Sequence, residues 1–240
     1  MLVRVRRTTA DRLAIFDIDG TLTATNAVDD ECFLRAVGET LGVDCSAVDW
    51  SEMPHVTDSA IACCLWTRHR GRVPEQGDLA ALQRRFLTML HAELGRAPDR
   101  FVAIAGAVDI FQHLRSAGWR VALATGAWGA SASVKLRAAG VVATDVPMAC
   151  ADDAESREEI VRLAWQRAEA ETATRFRRVV SVGDAPWDVR TAQSLGLPFV
   201  GVGTGVAEER LRAAGATTIL PHLGDASAVV GALSSASRPE

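Results

Sequence analysis

Residues 13–23 read LAIFDIDGTLT, and residues 179–189 read VVSVGDAPWDV. Each is a short apolar run that stops on carboxylates, Asp17 and Asp19 in the first, Asp184 and Asp188 in the second. A run of four to six apolar residues closed by Asp and Gly predicts a strand buried on both faces, as in a parallel sheet. Similar runs recur at residues 119–125, 199–202 and, more weakly, 146–150 and 218–220. Helical patterns at 107–117, 130–139, 156–171 and 187–195 alternate with them, several stopped by a glycine such as Gly118, Gly140 or Gly196. The alternation predicts an α/β fold, a doubly wound parallel Rossmann-like sheet.

Residues 24–100 break the rhythm and read as helix throughout. Phe33, Val37 and Leu41 recur at helical spacing, a second helix begins near Asp58 or Ser59, and Leu79, Leu82, Phe86, Leu90 and Leu94 line one face of a third. The expected organisation is therefore a core of residues 1–23 and 101–240 with an α-helical domain, 24–100, inserted after the first strand. Two joints, the polar stretch 23–26 and residues 95–106, would form a hinge between two bodies with separate cores. Residues after Gly224 predict a short final helix and a frayed end.

The composition of the 240 residues, 48% apolar and 23% charged, suits a globular chain with a full core. A net charge of −4 and the absence of tyrosine argue against nucleic acid as a partner. No stretch approaches the roughly 20 apolar residues that span a bilayer. The odd set Cys32, Cys45, Cys63, Cys64 and Cys150 contains no CxxC pair, the histidines show no zinc spacing, and the N-terminus MLVRVRRTTADR lacks a signal-peptide core. These features predict a cytoplasmic protein without nucleic-acid or membrane partners, a monomer or a homodimer.

In an open α/β sheet, ligands bind outside the carboxyl ends of the strands, where both acidic pairs fall. On a strand, Asp17 and Asp19 would share one face. Four converging carboxylates need a divalent cation or a shared proton to offset their charge, and all-oxygen ligands suit Mg²⁺.

The order DIDGT at 17–21, a threonine after the next strand in LATG at 123–126, a basic residue opening a later helix in ADDAESREEIV at 151–161, and GDxxxD at 183–188 resembles the haloacid dehalogenase superfamily. The DxDGT form resembles its phosphatase branch, phosphoglycolate phosphatase-like proteins among them, and the insert resembles that family's C1 cap. The resemblance implies that Asp17 is the nucleophile and Asp19 the general acid and base. It implies Mg²⁺ held by the Asp17 carboxylate, the main-chain carbonyl of Asp19 and Asp184, with Asp188 as a further or supporting ligand. Thr125 and Gly126 would bind the phosphoryl group. Arg157 takes the place of the usual lysine clamp. Lys135, the one lysine among 26 basic residues, lies ten residues past Thr125 and is expected to take no part in turnover.

The substrate implied is a small phosphorylated metabolite, phosphoglycolate or a small sugar phosphate, with Asn26, His55, Thr57, Asp58, Arg68 and Trp128 as candidate contacts. Trp187 is a candidate pocket wall, and Asp30 with Glu31 reads as first-turn helix charge. A dehalogenase is disfavoured by Asp19, and a Schiff-base phosphonatase by an insert without lysine. A phosphomutase of the beta-phosphoglucomutase type is the alternative, and a noncatalytic binding protein of the same fold is the rival from another class.

Overall fold

The structure is a computed structural model that describes residues 11–45, 48, 50, 53 and 55–240. The N-terminal segment read above for a leader, 1–10, lies outside the described residues. Strand β1 (Arg12–Phe16) is central. Its neighbours are β2 (Trp119–Ala124) on one side and β4 (Arg178–Gly183) on the other, and β3 (Met148–Ala149), β5 (Phe199–Val202) and β6 (Ile219–Leu220) complete the order β3-β2-β1-β4-β5-β6. Every strand pairing is parallel.

Strand alternation divides the core into two layers. Ala14, Phe16, Val180 and Val182 face helices α4 (Ala107–Ser116), α5 (Gly129–Ala138) and α9 (Ala226–Ser235). Leu13, Ile15 and Val179 face α6 (Arg157–Thr172), α7 (Pro186–Leu195) and α8 (Val206–Ala213). Both faces of β1 are covered, which is why its sequence after Arg12 is unbroken by polar residues. The chain builds outward from β1 through β2 to β3, then returns to β4 on the other side. The point of reversal lies between the carboxyl ends of β1 and β4, so the topology opens a crevice where Asp17 and Asp184 stand.

The helical insert contains α1 (Asn26–Leu41), α2 (Asp58–Arg70) and α3 (Gln76–Arg96). Its apolar interior does not close on itself. Trp128, which caps the start of α5, and Val134 within that helix belong to the same buried cluster as Phe33, Leu65, Phe86 and Leu90. The rings of Phe33 and Phe86 lie 5.6 Å apart, and Trp128 lies 5.7 and 6.0 Å from them. The insert's cluster is thus distinct from the two layers beside the sheet, and a tryptophan of the α/β body completes its aromatic centre.

The joints differ from loose linkers as well. Thr23 and Thr25 are fully buried, with their hydroxyls 2.6 Å apart. Ala24 N–H donates to Val102 and Ile104 N–H to Leu22, pairing the two connecting segments along their backbones. A polar sequence here marks buried hydrogen bonds rather than solvent exposure.

Replacing Phe86 by Ala should cost about 3–5 kcal/mol. Because Trp128 shares the cluster, urea unfolding followed by tryptophan fluorescence should remain a single transition at a lower midpoint; a separate early transition of the insert would contradict shared packing.

Candidate active site

Asp17 is the first residue past β1, and its N–H donates to Val182 O at 2.9 Å, which anchors it to β4. The strand therefore ends before the acidic pair, and Asp17 and Asp19 do not share a strand face as expected. Between them and the insert the backbone turns tightly, with the N–H groups of Leu22 and Thr23 both donating to Ile18 O. Gly20 has φ +82°, and a Cβ there would lie 2.0 Å from Asp184 Oδ2, so glycine alone lets the two acidic loops meet. Asp184 accepts from Thr21 Oγ1 at 3.3 Å and Asn26 Nδ2 at 3.2 Å. Asp188, in the first turn of α7, accepts from Ala185 N–H at 3.2 Å.

One carboxylate oxygen each from Asp17, Asp184 and Asp188 fall within 4.8 Å of one another. Burial, with Asp188 beside it, pushes the Asp17 carboxyl well above its ordinary value, against the pull of Arg157. Burial and Asp188 raise Asp184 to about 7. Arg157 remains charged despite its burial because Asp188 and Asp17 hold its guanidinium. Its Nη2 donates to Asp188 Oδ1 at 2.6 Å and to Asp17 Oδ1 at 2.9 Å, and its Nη1 to Val56 O at 3.0 Å. Among these groups one guanidinium faces three carboxylates, so a negative excess remains. All-oxygen donors with an uncompensated charge fit a hard divalent cation.

Arg157 reaches this position from the start of α6, where Ser156 caps the helix by accepting Glu159 N–H. A Cβ on Gly126 would meet Arg157 Nη1 at 2.5 Å and Val56 O at 2.7 Å, so the glycine after Thr125 makes room for the arginine. Thr125 Oγ1 accepts from Ala127 N–H at 3.1 Å, which leaves its own proton to donate elsewhere. These groups open into a cavity of about 780 Å³, bounded on the insert side by Asp29, Asp30, Phe33, Trp50 and Asp58, and on the other by Trp187 and Arg210.

A family profile for haloacid dehalogenase-like hydrolases matches residues 12–196. The chain belongs to this family. Solved structures of the same fold include a hydrolase from Pseudomonas syringae at 18% identity, covering 92% of this chain and 98% of that one with a TM-score of 0.68. A provisionally assigned beta-phosphoglucomutase from Bacteroides vulgatus is 18% identical over 93% of this chain and 89% of its own, with a TM-score of 0.65. A predicted phosphoglycolate phosphatase from Haemophilus somnus is 15% identical over 93% and 99%, with a TM-score of 0.61. No curated protein sequence matches the chain. Among the described residues of this hydrolase no helix is long and apolar enough to cross a membrane.

Asp17, Asp19, Thr125, Gly126, Arg157 and Asp184 all line the hydrolase's cavity, and Asp188 lies directly behind them against Arg157. Of the six substrate-contact candidates, Asn26, Thr57 and Asp58 line the cavity. Thr57 and Asp58 are also structural, since Thr57 caps α2 and donates to Glu155 O, and Asp58 Oδ2 accepts from Trp128 N–H. His55 sits half-buried in the loop before α2, and Arg68 is in its last turn; neither is on the cavity wall. Trp128 points into the insert's aromatic cluster instead, with its indole N–H donating to Ser59.

A contact that sequence reasoning missed is made by the one lysine. Lys135 is fully buried and donates from Nζ to Asp19 Oδ2 at 2.6 Å and to Asp29 Oδ1 at 2.5 Å. Distance along the chain from Thr125 hid this, but the signal was present: Ser131, Ala132, Lys135 and Leu136 occupy the buried face of α5, where a lysine requires partners. Asp29 and Thr25 were missed for the same reason, their partners being more than 100 residues away or held by the turn. Asp30, read as helix-end charge, lines the cavity, and Glu31 pairs with Arg100.

Burial-raised carboxyls make the folded, metal-free protein hold protons that the unfolded chain has released, so stability falls as pH rises from about 4 toward about 7 and beyond. Thermal unfolding at about pH 5.5 and about pH 8 in chelator should show the lower midpoint at the higher pH. A divalent cation should raise the midpoint most at the higher pH; equal midpoints in chelator would contradict the charge excess.

Proposed function

We propose that the protein is a Mg²⁺-dependent phosphomonoester hydrolase that acts on a small phosphorylated metabolite through an aspartyl phosphate on Asp17. The observation that carries this reading is the Asp17 carboxylate, pinned at the switch point with Arg157 on Oδ1 and Asp184 beside it. The carboxylates of Asp17 and Asp184 and the main-chain carbonyl of Asp19 would hold Mg²⁺, which would screen the anionic phosphate from the anionic nucleophile. Asp188 keeps Arg157 in place from behind, as its two hydrogen bonds indicate.

Asp17 then attacks phosphorus while the bond to the leaving oxygen breaks. Asp19 gives that oxygen a proton, and afterwards takes one from the water that attacks the phosphorus of the aspartyl phosphate, releasing phosphate and restoring Asp17. Arg157 and the free proton of Thr125 supply donors to the phosphoryl oxygens as charge shifts among them. Gly126, without a side chain, leaves room for Arg157.

The leaving-group side of the cavity is acidic. Asp29, Asp30 and Asp58 face it from the insert, and the exposed Arg210 stands across the cavity from them. A carboxylate on the leaving group would be repelled, whereas hydroxyl groups would find acceptors. Among the first candidates this ranks a small sugar phosphate ahead of phosphoglycolate.

Purified protein with Mg²⁺ should release phosphate from p-nitrophenyl phosphate, and chelation should stop it. Asp17→Asn should abolish turnover, and Arg157→Ala should lower kcat about 100- to 1,000-fold. In a panel of equal-sized esters, kcat/KM for sugar phosphates should exceed that for phosphoglycolate. A wild type inactive across the panel overturns the hydrolase reading, and conversion of a sugar phosphate into its isomer without phosphate release would establish the mutase alternative.

A further inference from the structure

A fully buried lysine is costly, and an apolar side chain of similar length would fill its space in α5 at less expense. Three carboxylates nevertheless surround Lys135. Asp19 and Asp29 accept from its ammonium, and Asp58 adds to the attraction that, against burial, holds the amine protonated above its ordinary range. Two of them, Asp29 and Asp58, come from the insert. Asp29 pays for its place, burial raising it to about 7 even with the ammonium in contact. Such an arrangement is hard to account for as packing.

The geometry of Asp19 suggests what it does. Oδ2 accepts from Lys135, and Oδ1 accepts from Thr25 Oγ1 at 2.6 Å. Two donors on the two oxygens fix both the position and the plane of the carboxylate, while each oxygen keeps a second lone pair for a proton in transfer. Thr25 and Asp29 are one turn apart on the same helix start, joined by Asp29 N–H donating to Thr25 O at 2.9 Å. The first turn of α1 thus grips Asp19 directly through Thr25 and indirectly through Asp29 and Lys135.

We propose that Lys135 is a positioning residue that orients Asp19 for proton transfer to the leaving oxygen and, through Asp29, makes that orientation depend on the seating of the helical insert. Lys135 acts on the reaction only through its hydrogen bond to the Asp19 carboxylate. The inference rests on the phosphatase reading and on Asp19 as its acid and base.

Leaving groups of different basicity separate this role from a structural one. p-Nitrophenolate departs without a proton, whereas benzyl phosphate, of similar size, needs one. Lys135→Met should lower kcat for benzyl phosphate about 100-fold more than for p-nitrophenyl phosphate, with KM changed less than about 3-fold for both. In an Asp19→Asn background the same substitution should add little. Since Lys135→Met leaves Asp29 buried without its cation, the double variant Lys135→Met/Asp29→Asn serves as the folded control, and the selective loss should persist in it. Equal losses on both substrates, full activity of Lys135→Met, or recovery of benzyl phosphate turnover in the double variant would each overturn the proposal. A wild type that releases no phosphate from either ester overturns the phosphatase reading instead.

Discussion

Like charge gathered out of water is the constraint around which this molecule is organised. Asp17, Asp184 and Asp188 meet at the reversal of the sheet because the carboxyl ends of β1 and β4 converge there. Such a cluster destabilises the fold that creates it, and burial alone would drive the carboxyls to bind protons. Arg157 offsets part of the charge by bridging Asp17 and Asp188, and its rigid planar fork also holds Val56, in the insert's loop before α2. The remaining excess would favour a cation, so the cluster's cost to the fold and the proposed capacity to bind a metal would have one cause.

Lys135 repeats this arrangement on the other side of Asp19. One buried cation again faces more than one carboxylate, and again one of its partners belongs to the insert. The two cations make the insert part of the site's electrostatics, while Trp128 makes it part of the packing. A catalytic group aligned through charges on two bodies can be correctly set only when both are in register, which is the logic by which an enclosed site separates the bound from the open state.

Much of this was legible in the chain. Unbroken apolar runs identified buried strands because both faces of a parallel sheet are covered, and the position of DIDGT and GDxxxD after such runs located the crevice. Local rules also put the start of α2 near Asp58, one residue past its actual cap at Thr57, and that of α6 at Ser156. What failed had a common character. The polar stretch 23–26 read as a flexible joint, yet Thr23 and Thr25 bury their hydroxyls against each other and against Asp19. Trp128 read as a substrate contact, yet it packs into the insert. Lys135 read as a bystander because its partners lie 116 and 106 residues away.

Hydrophobic period and turn chemistry are local, so the sequence by itself determined the α/β order, the helical insert, the acidic residues at the strand ends and Arg157 as the basic residue of the later helix. Which charges face one another is a matter of distance across the fold. Only the tertiary structure decided that Arg157 spans Asp17 and Asp188, that the insert shares its core with α5, and that the one lysine is buried against Asp19. The physical reason is that Coulomb and hydrogen-bond energies depend on separation in space, and a buried ion is tolerated or excluded by neighbours the linear chain does not reveal.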